Sequence, residues 1–399
     1  MRTKKIPRVV FQVHSQSGND SWHSVFISLL RGLAAIEVAA AHLRADMYPG
    51  LRTVTDPSIW FKGFTFATGF AHHAVLVFFV ISGWLVGGSL LDKIRQPDAI
   101  ASYAIDRITR LWTVLIPTFV LTLLFGLGTG IVDAQGIDFH PANDYSAIVF
   151  GANLVGLQTI ATPTFGGNFP LWSLANETWY YILFPLLVVL FRAPGLALRV
   201  ACGATLLLLA ALLPAAIVAY FAVWLLGVAF SRIRIECSTA QRAGWLILVA
   251  ALWAYYRLTG DMNAFTLANI LPDLGCSLVF LVLLSSLQFK AAATSKLQPL
   301  LGRIGTFFAE FSFSLYVVHV PLIGLLQHWA LKRWGLRELS PHEPLHFAIY
   351  LGMLAALLAG AYLSYLLFES RTYQIRRLLK RMLLQRPAHA RVSPTFRAD

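Results

Sequence analysis

The chain has 399 residues, of which 57% are hydrophobic and only 13% charged, with a mean hydropathy of +0.65. Soluble domains carry roughly a quarter charged residues, so an ordinary water-soluble enzyme is excluded. The net charge of +13 does not point to nucleic acid, because the Lys and Arg residues sit in loops between apolar runs, the distribution that orients membrane proteins.

This composition predicts an all-α, polytopic integral membrane protein. Apolar stretches near the twenty residues needed to cross about 30 Å of hydrocarbon fall at 25–44, 72–91, 104–130, 171–191, 196–213, 215–231, 243–257, 265–287, 305–330 and 345–368. They predict about ten transmembrane helices, with Pro214 at the turn between the fifth and sixth. The basic start M-R-T-K-K imitates a signal peptide, but the polar leader is long and Arg31 interrupts the apolar run, so a retained signal-anchor helix is expected. With the N-terminus inside, twenty-four Lys and Arg fall on the cytoplasmic side and seven outside, and Arg31 lies in the membrane. That asymmetry predicts both termini in the cytoplasm. Three cysteines, Cys202, Cys237 and Cys276, have neither paired nor CxxC spacing, so no disulfide framework and no metal site are indicated.

The organisation reads as a cytoplasmic N-terminal segment at 1–24, a transmembrane domain at 25–370 and a basic tail at 371–399. The outer segment 131–170 has no Lys or Arg and should be the largest external loop, its apolar piece 148–157 being too short to span. In the tail, R-T-Y-Q-I-R-R-L-L-K-R-M-L-L reads as an amphipathic helix expected to lie against anionic cytoplasmic lipid.

Several spans carry groups that hydrocarbon disfavours. The first contains L-R-G-L-A-A-I-E-V-A-A-A-H-L, with Arg31, Glu37 and His42, each costing a few kcal/mol at mid-membrane unless something compensates. Arg31 and His42 are eleven residues apart, which is about three turns, so both project from one helix face about 16 Å apart. Asp46, one turn after His42, is in place to orient its ring. In the second stretch, V-F-F-V-I-S-G-W-L-V-G-G, the glycines permit close helix approach, and Ser82 reads as a packing or hydrogen-bonding residue. The third opens D-R-I-T-R-L-W, where Arg107 and Arg110 at i and i+3 can face one anion or anchor the membrane edge. The fourth, P-L-W-S-L-A-N-E-T-W-Y-Y, buries Glu177 about 9 Å below its outer end. A carboxylate there needs a partner, a proton or a cavity. The ninth reads I-G-T-F-F-A-E-F-S-F-S-L-Y-V-V-H-V-P-L, putting Tyr316 and His319 on one face near mid-membrane, as core groups or as substrate contacts.

Taken in order, R-x10-H, F-F-x-x-S-G with a following aromatic, the basic pair, W-S-L-x-x-E and S-x-S-x-Y-x-x-H-x-P-L resemble the conserved blocks of the membrane-bound acyltransferase-3 family over most of the chain. Phe313 stands where a Tyr is usual, and F-E-S-R in the tenth stretch resembles the family's Glu-Arg-Pro ending with Ser370 intervening and the Pro missing. The resemblance implies transfer of an acyl group, usually acetyl, from cytoplasmic acyl-CoA to a hydroxyl of an extracytoplasmic saccharide or lipid-linked glycan, in a bacterial inner membrane. It implies His42, Glu177 and Arg31 as catalytic residues and Arg107, Arg110 and Arg31 as contacts to CoA, with Ser82, Tyr316 and His319 as substrate or structural groups; Asp46, which is outside the family pattern, joins the last group on its spacing from His42 alone. Imidazole near its normal pKa of about 6.5 suits the base, and both direct transfer and a covalent acyl-His intermediate are open to it. The rival reading is a transporter or flippase of a polysaccharide precursor, which broken helices and internal repeats would favour. No repeat is visible. A second rival is the same fold using a succinyl or longer acyl donor, and sugar specificity is expected to lie in outer-loop contacts.

Overall fold

Hydrocarbon offers a backbone amide no water, so spanning segments must satisfy their hydrogen bonds internally. Each of the ten apolar stretches lies largely in helix in the computed structural model, which describes residues 6–15, 22–129, 143–260, 264–289 and 297–384. Part of the expected outer loop, 130–142, and the end of the tail, 385–399, lie outside the described residues. The helices are α1 (Trp22–Met47), α2 (Ile59–Ala67), α3 (Ala71–Ser82), α4 (Gly88–Lys93), α5 (Ala99–Thr129), α6 (Ala147–Leu154), α7 (Leu171–Arg192) and α8 (Leu196–Leu212). They continue with α9 (Ala215–Phe230), α10 (Thr239–Thr259), α11 (Ile270–Ser286), α12 (Leu297–Glu310), α13 (Ser312–Trp334), α14 (Pro344–Leu367) and α15 (Thr372–Leu384). Among the described residues, 7 helical stretches are long and apolar enough to cross a membrane; α8 and α9 are apolar but shorter.

The chain is not purely helical. Strands β1 (Arg8–Phe11) and β2 (Ile233–Glu236) pair antiparallel, with Arg8 opposite Glu236, and stitch the N-terminal segment to the α9–α10 connection. Arg232 reinforces the seam by donating to the Val13 carbonyl and to Asp92, the latter at 2.6 Å.

Two apolar cores flank α1. One gathers Val77, Trp84, Phe119, Tyr180, Trp224 and Leu281; the other gathers Leu43, Met47, Phe61, Leu315, Tyr350 and Leu357. Ala34 and Val38 of α1 face the first core, and Ala35 and Ala39 face the second. The polar groups of α1 are thereby held in the seam between them.

Two helix starts are capped from elsewhere in the chain. The predicted ninth span is broken at Phe311, the residue before α13, whose side chain cannot accept a hydrogen bond. Glu369 serves instead, accepting from the Ser314 backbone N–H at 3.0 Å and from its hydroxyl at 2.6 Å. A carboxylate there satisfies an orphan donor and meets the positive end of the helix. Phe70 stands likewise before α3, and Glu37 of α1 accepts its N–H at 2.7 Å. This is what makes a carboxylate tolerable in α1.

The segment Gly83–Gly87 between α3 and α4 is a π-helical turn against α9. A Cβ on Gly83 would come within 2.0 Å of the Trp224 carbonyl oxygen, and one on Gly227 within 2.1 Å of that of Val80. The two backbones touch because both residues are glycine, as in other close membrane crossings. Gly227→Ala is expected to lower stability by about 1–3 kcal/mol. Gly352→Ala, on a helix face with nothing within 4 Å, should be silent. Thermal unfolding of the two purified variants checks this; equal midpoints would remove the crossing as the cause.

Candidate active site

Between α1, α3, α5, α7 and α13 lies a cavity of about 690 Å³ whose wall includes Arg31, Ser82, Arg107, Arg110, Glu177 and Tyr316. Six of the residues singled out from sequence thus share one chamber, large enough for a cofactor-sized ligand.

The chamber's polar groups are arranged in two sets. In the first, Glu177 Oε1 accepts from the Ser82 hydroxyl and from the Tyr181 hydroxyl, both at 2.5 Å, and Trp224 Nε1–H donates to Ser82 at 3.2 Å. The close backbone crossing at Gly83 and Gly227 holds Trp224 within reach of Ser82. Arg107 lies over the Tyr181 ring, 5.5 Å from its centroid. In the second set, Arg110 pairs with Glu369 and stacks on Phe313 at 4.8 Å. The aromatic that replaces the usual Tyr thus supports a guanidinium. Arg31 has no hydrogen-bond partner among the described residues, and the charged groups that act on it are Arg110, Glu369 and Glu177. With Arg376 also on the wall, the chamber holds more cations than carboxylates.

His42, His319 and Asp46 are not part of that wall. His42 Nδ1 lies 2.8 Å from His319 Nε2. The roles follow from His319, whose Nδ1 sits 2.7 Å from the Tyr316 carbonyl and 3.2 Å from that of Leu315. Carbonyls only accept, so Nδ1 carries the proton. The ring is fully enclosed, and no carboxylate among the described residues is bonded to it, which makes a charged form costly. Its Nε2 is therefore the acceptor, and His42 Nδ1–H is the donor. That leaves the lone pair of His42 on Nε2, uncommitted to any group among the described residues. Asp46 does not orient the ring: its Oδ2 is buried with no hydrogen-bond partner among the described residues. His319 takes that part.

The sequence explains how His319 is held. Pro321 lacks an N–H, so the carbonyl of Val317, four residues earlier, has no helical donor. Asn168 Nδ2 fills the vacancy at 2.9 Å. Asn168 belongs to the loop before α7, knotted by Asn153, which accepts from Phe165 N–H at 2.9 Å and donates to the Pro163 carbonyl at 3.0 Å. The loop also sets the edge of Phe169 against His42, with ring centroids 4.8 Å apart. Short α6, where the sequence shows an apolar piece too short to span, packs into this same loop.

Tyr316 links chamber and histidine pair. Its hydroxyl contacts that of Ser173 at 2.5 Å and donates to the Pro170 carbonyl at 3.0 Å, while its ring lies 5.9 Å from that of His319.

Residues not singled out from sequence also stand out. Glu369 and Tyr181 line the chamber. Elsewhere, buried Asp273 joins His72 Nε2 at 2.9 Å and accepts from Tyr220 at 2.5 Å, tying α3, α9 and α11 together. The signal was present, since His72 and Asp273 each sit within an apolar stretch where a charge needs a partner.

Comparison with curated proteins and with solved structures gave no match. A sequence model described as an acyltransferase domain, that of the acyltransferase-3 family, matches residues 24–382. The match runs from α1, through every wall of the chamber and both members of the histidine pair, to all but the end of α15, so the chain belongs to the acyltransferase-3 family and is a membrane acyltransferase.

Proposed function

We propose that this protein transfers an acyl group, acetyl in the simplest case, from cytoplasmic acyl-CoA to a hydroxyl of an extracytoplasmic saccharide or lipid-linked glycan. The setting is a bacterial inner membrane, with about ten spans and both termini in the cytoplasm. The observation that carries the reading is the relay from the Tyr316 carbonyl through His319 to His42, which leaves the second ring nitrogen of His42 without a partner among the described residues.

In this reaction His42 Nε2 takes the proton of the acceptor hydroxyl as its oxygen attacks the thioester carbonyl. The C–S bond breaks, the sulfur leaves with the electron pair, and the proton on His42 passes to it, giving the acyl ester and free CoA thiol. His319 accepts from Nδ1–H throughout and steadies the transient imidazolium. Arg31 is three turns away on the same helix, about 16 Å, whereas an oxyanion donor must lie within about 3 Å of the developing charge. Its role is therefore along the CoA arm, with Arg107 and Arg110. Glu177 sits in the same chamber, where with Ser82 and Tyr181 it presents a polar wall to that arm rather than a second base beside His42.

Sidedness tests the proposal without knowledge of the sugar. In sealed vesicles of known orientation, labelled acetyl-CoA supplied only at the cytoplasmic face should yield labelled saccharide on the other side and leave free CoA where it was supplied. A transporter would move an intact solute and release no CoA, and that result would overturn the reading.

A further inference from the structure

A second cavity of about 480 Å³ opens beside the chamber and shares Tyr373 and Arg376 with it. Its wall is one face of α15, from Tyr373 to Leu384 at intervals of three and four residues, with Lys93 at the end of α4 opposite. The wall carries Lys93, Arg376, Arg377, Lys380 and Arg381 against the single carboxylate of Asp106. Asp106 is already engaged, at 2.6 Å by Lys380 Nζ and at 3.3 Å by Arg376 Nε. Lys93, Arg377 and Arg381 are exposed and have no ion-pair partner among the described residues.

Like charges one turn apart on a helix repel, and both Arg376 with Lys380 and Arg377 with Arg381 are so placed. Asp106 offsets the first pair only. An amphipathic helix serving purely as a lipid anchor has no reason to line a cavity with its cations. Here they line one, while Leu378, Met382 and Leu383 stay exposed. A concave, cationic pocket that continues into a longer chamber suits a ligand with a polyanionic head and a neutral arm.

We propose that this basic mouth binds the phosphates at the nucleotide end of the acyl donor, the 3′-phosphate of CoA first among them, with the pantetheine arm running past Arg376 into the chamber. This rests on acyl-CoA being the donor. The shared chemistry is a phosphate monoester or diester, which a lipid headgroup also offers, and the test separates the two.

The full-length protein in phosphatidylcholine nanodiscs is titrated with CoA and with dephospho-CoA, which lacks the 3′-phosphate. Wild type should bind CoA about tenfold or more tightly than dephospho-CoA, as charge-assisted contacts to a phosphate allow. Lys93→Gln/Arg377→Gln/Arg381→Gln should lose that preference by weakening CoA alone, with dephospho-CoA affinity showing that the variant is folded. An unchanged ratio in the variant overturns the mouth and leaves the donor reading intact. Binding of neither compound to wild type overturns both. If a preference in wild type vanishes on adding phosphatidylglycerol, with the variant insensitive to that lipid, the pocket is a headgroup site and the proposal fails.

Discussion

His42→Ala should abolish acyl transfer, with turnover down by about 10³-fold and within the 10²–10⁴ typical of a lost general base, while the protein still inserts and purifies. The side chain is not wholly buried, and what its removal leaves is His319 Nε2 without a donor, a cost near 1 kcal/mol. His319→Ala is the informative companion. It keeps the base but frees its tautomer, so kcat should fall while KM for acyl-CoA holds and the pH–rate profile changes shape. His319→Gln, whose carbonyl oxygen can accept from His42 Nδ1–H, should recover part of the loss. Turnover of purified protein with labelled acyl-CoA reads all three. Near-normal acylation by His42→Ala would remove it as the base, and a His319→Ala profile unchanged in shape would reduce His319 to a packing residue.

Much of this site is legible in the sequence because hydrocarbon makes polar residues conspicuous. Arg31, Glu177 and the Arg107–Arg110 pair stand out of apolar runs on cost alone, and all four line the chamber. What composition cannot convey is which of them meet. His42 and His319 lie 277 positions apart, on helices whose mutual register no local pattern records. The nearer Asp46 looks the better partner by spacing, yet the bond goes to His319. The break at Phe311 is equally silent, because F-F-A-E-F-S-F contains neither Gly nor Pro and the group that satisfies the new helix start is Glu369. Strands of four residues, R-V-V-F and I-R-I-E, are too short for alternation to declare itself. Glu37 was visible as an anomaly, and only the fold shows that the Phe70 amide is its reason.

Glu369→Ala should be the most destabilising single change in the chamber, at roughly 3–5 kcal/mol. The carboxylate is almost wholly buried, with 2% of its side chain exposed, and it does two jobs at once. It pairs with Arg110, and it caps α13 through the Ser314 amide and hydroxyl. Removing it strands a guanidinium that is 27% exposed and an amide that has no other acceptor among the described residues. Glu369→Gln keeps an oxygen for Ser314 and loses only the charge, so it should fall between Ala and wild type. Arg110→Gln alone leaves the buried carboxylate unpaired, and Arg110→Gln/Glu369→Gln together should regain stability relative to the sum of the singles. CoA affinity need not follow. If Arg110 serves only to hold Glu369, the double variant should bind CoA as wild type does. If its guanidinium also reaches the donor, the double variant should be stable and still bind CoA about tenfold more weakly. Thermal midpoints and CoA titrations on the four proteins of the cycle decide between these, and an additive cycle would show that the pair contributes no mutual stabilisation.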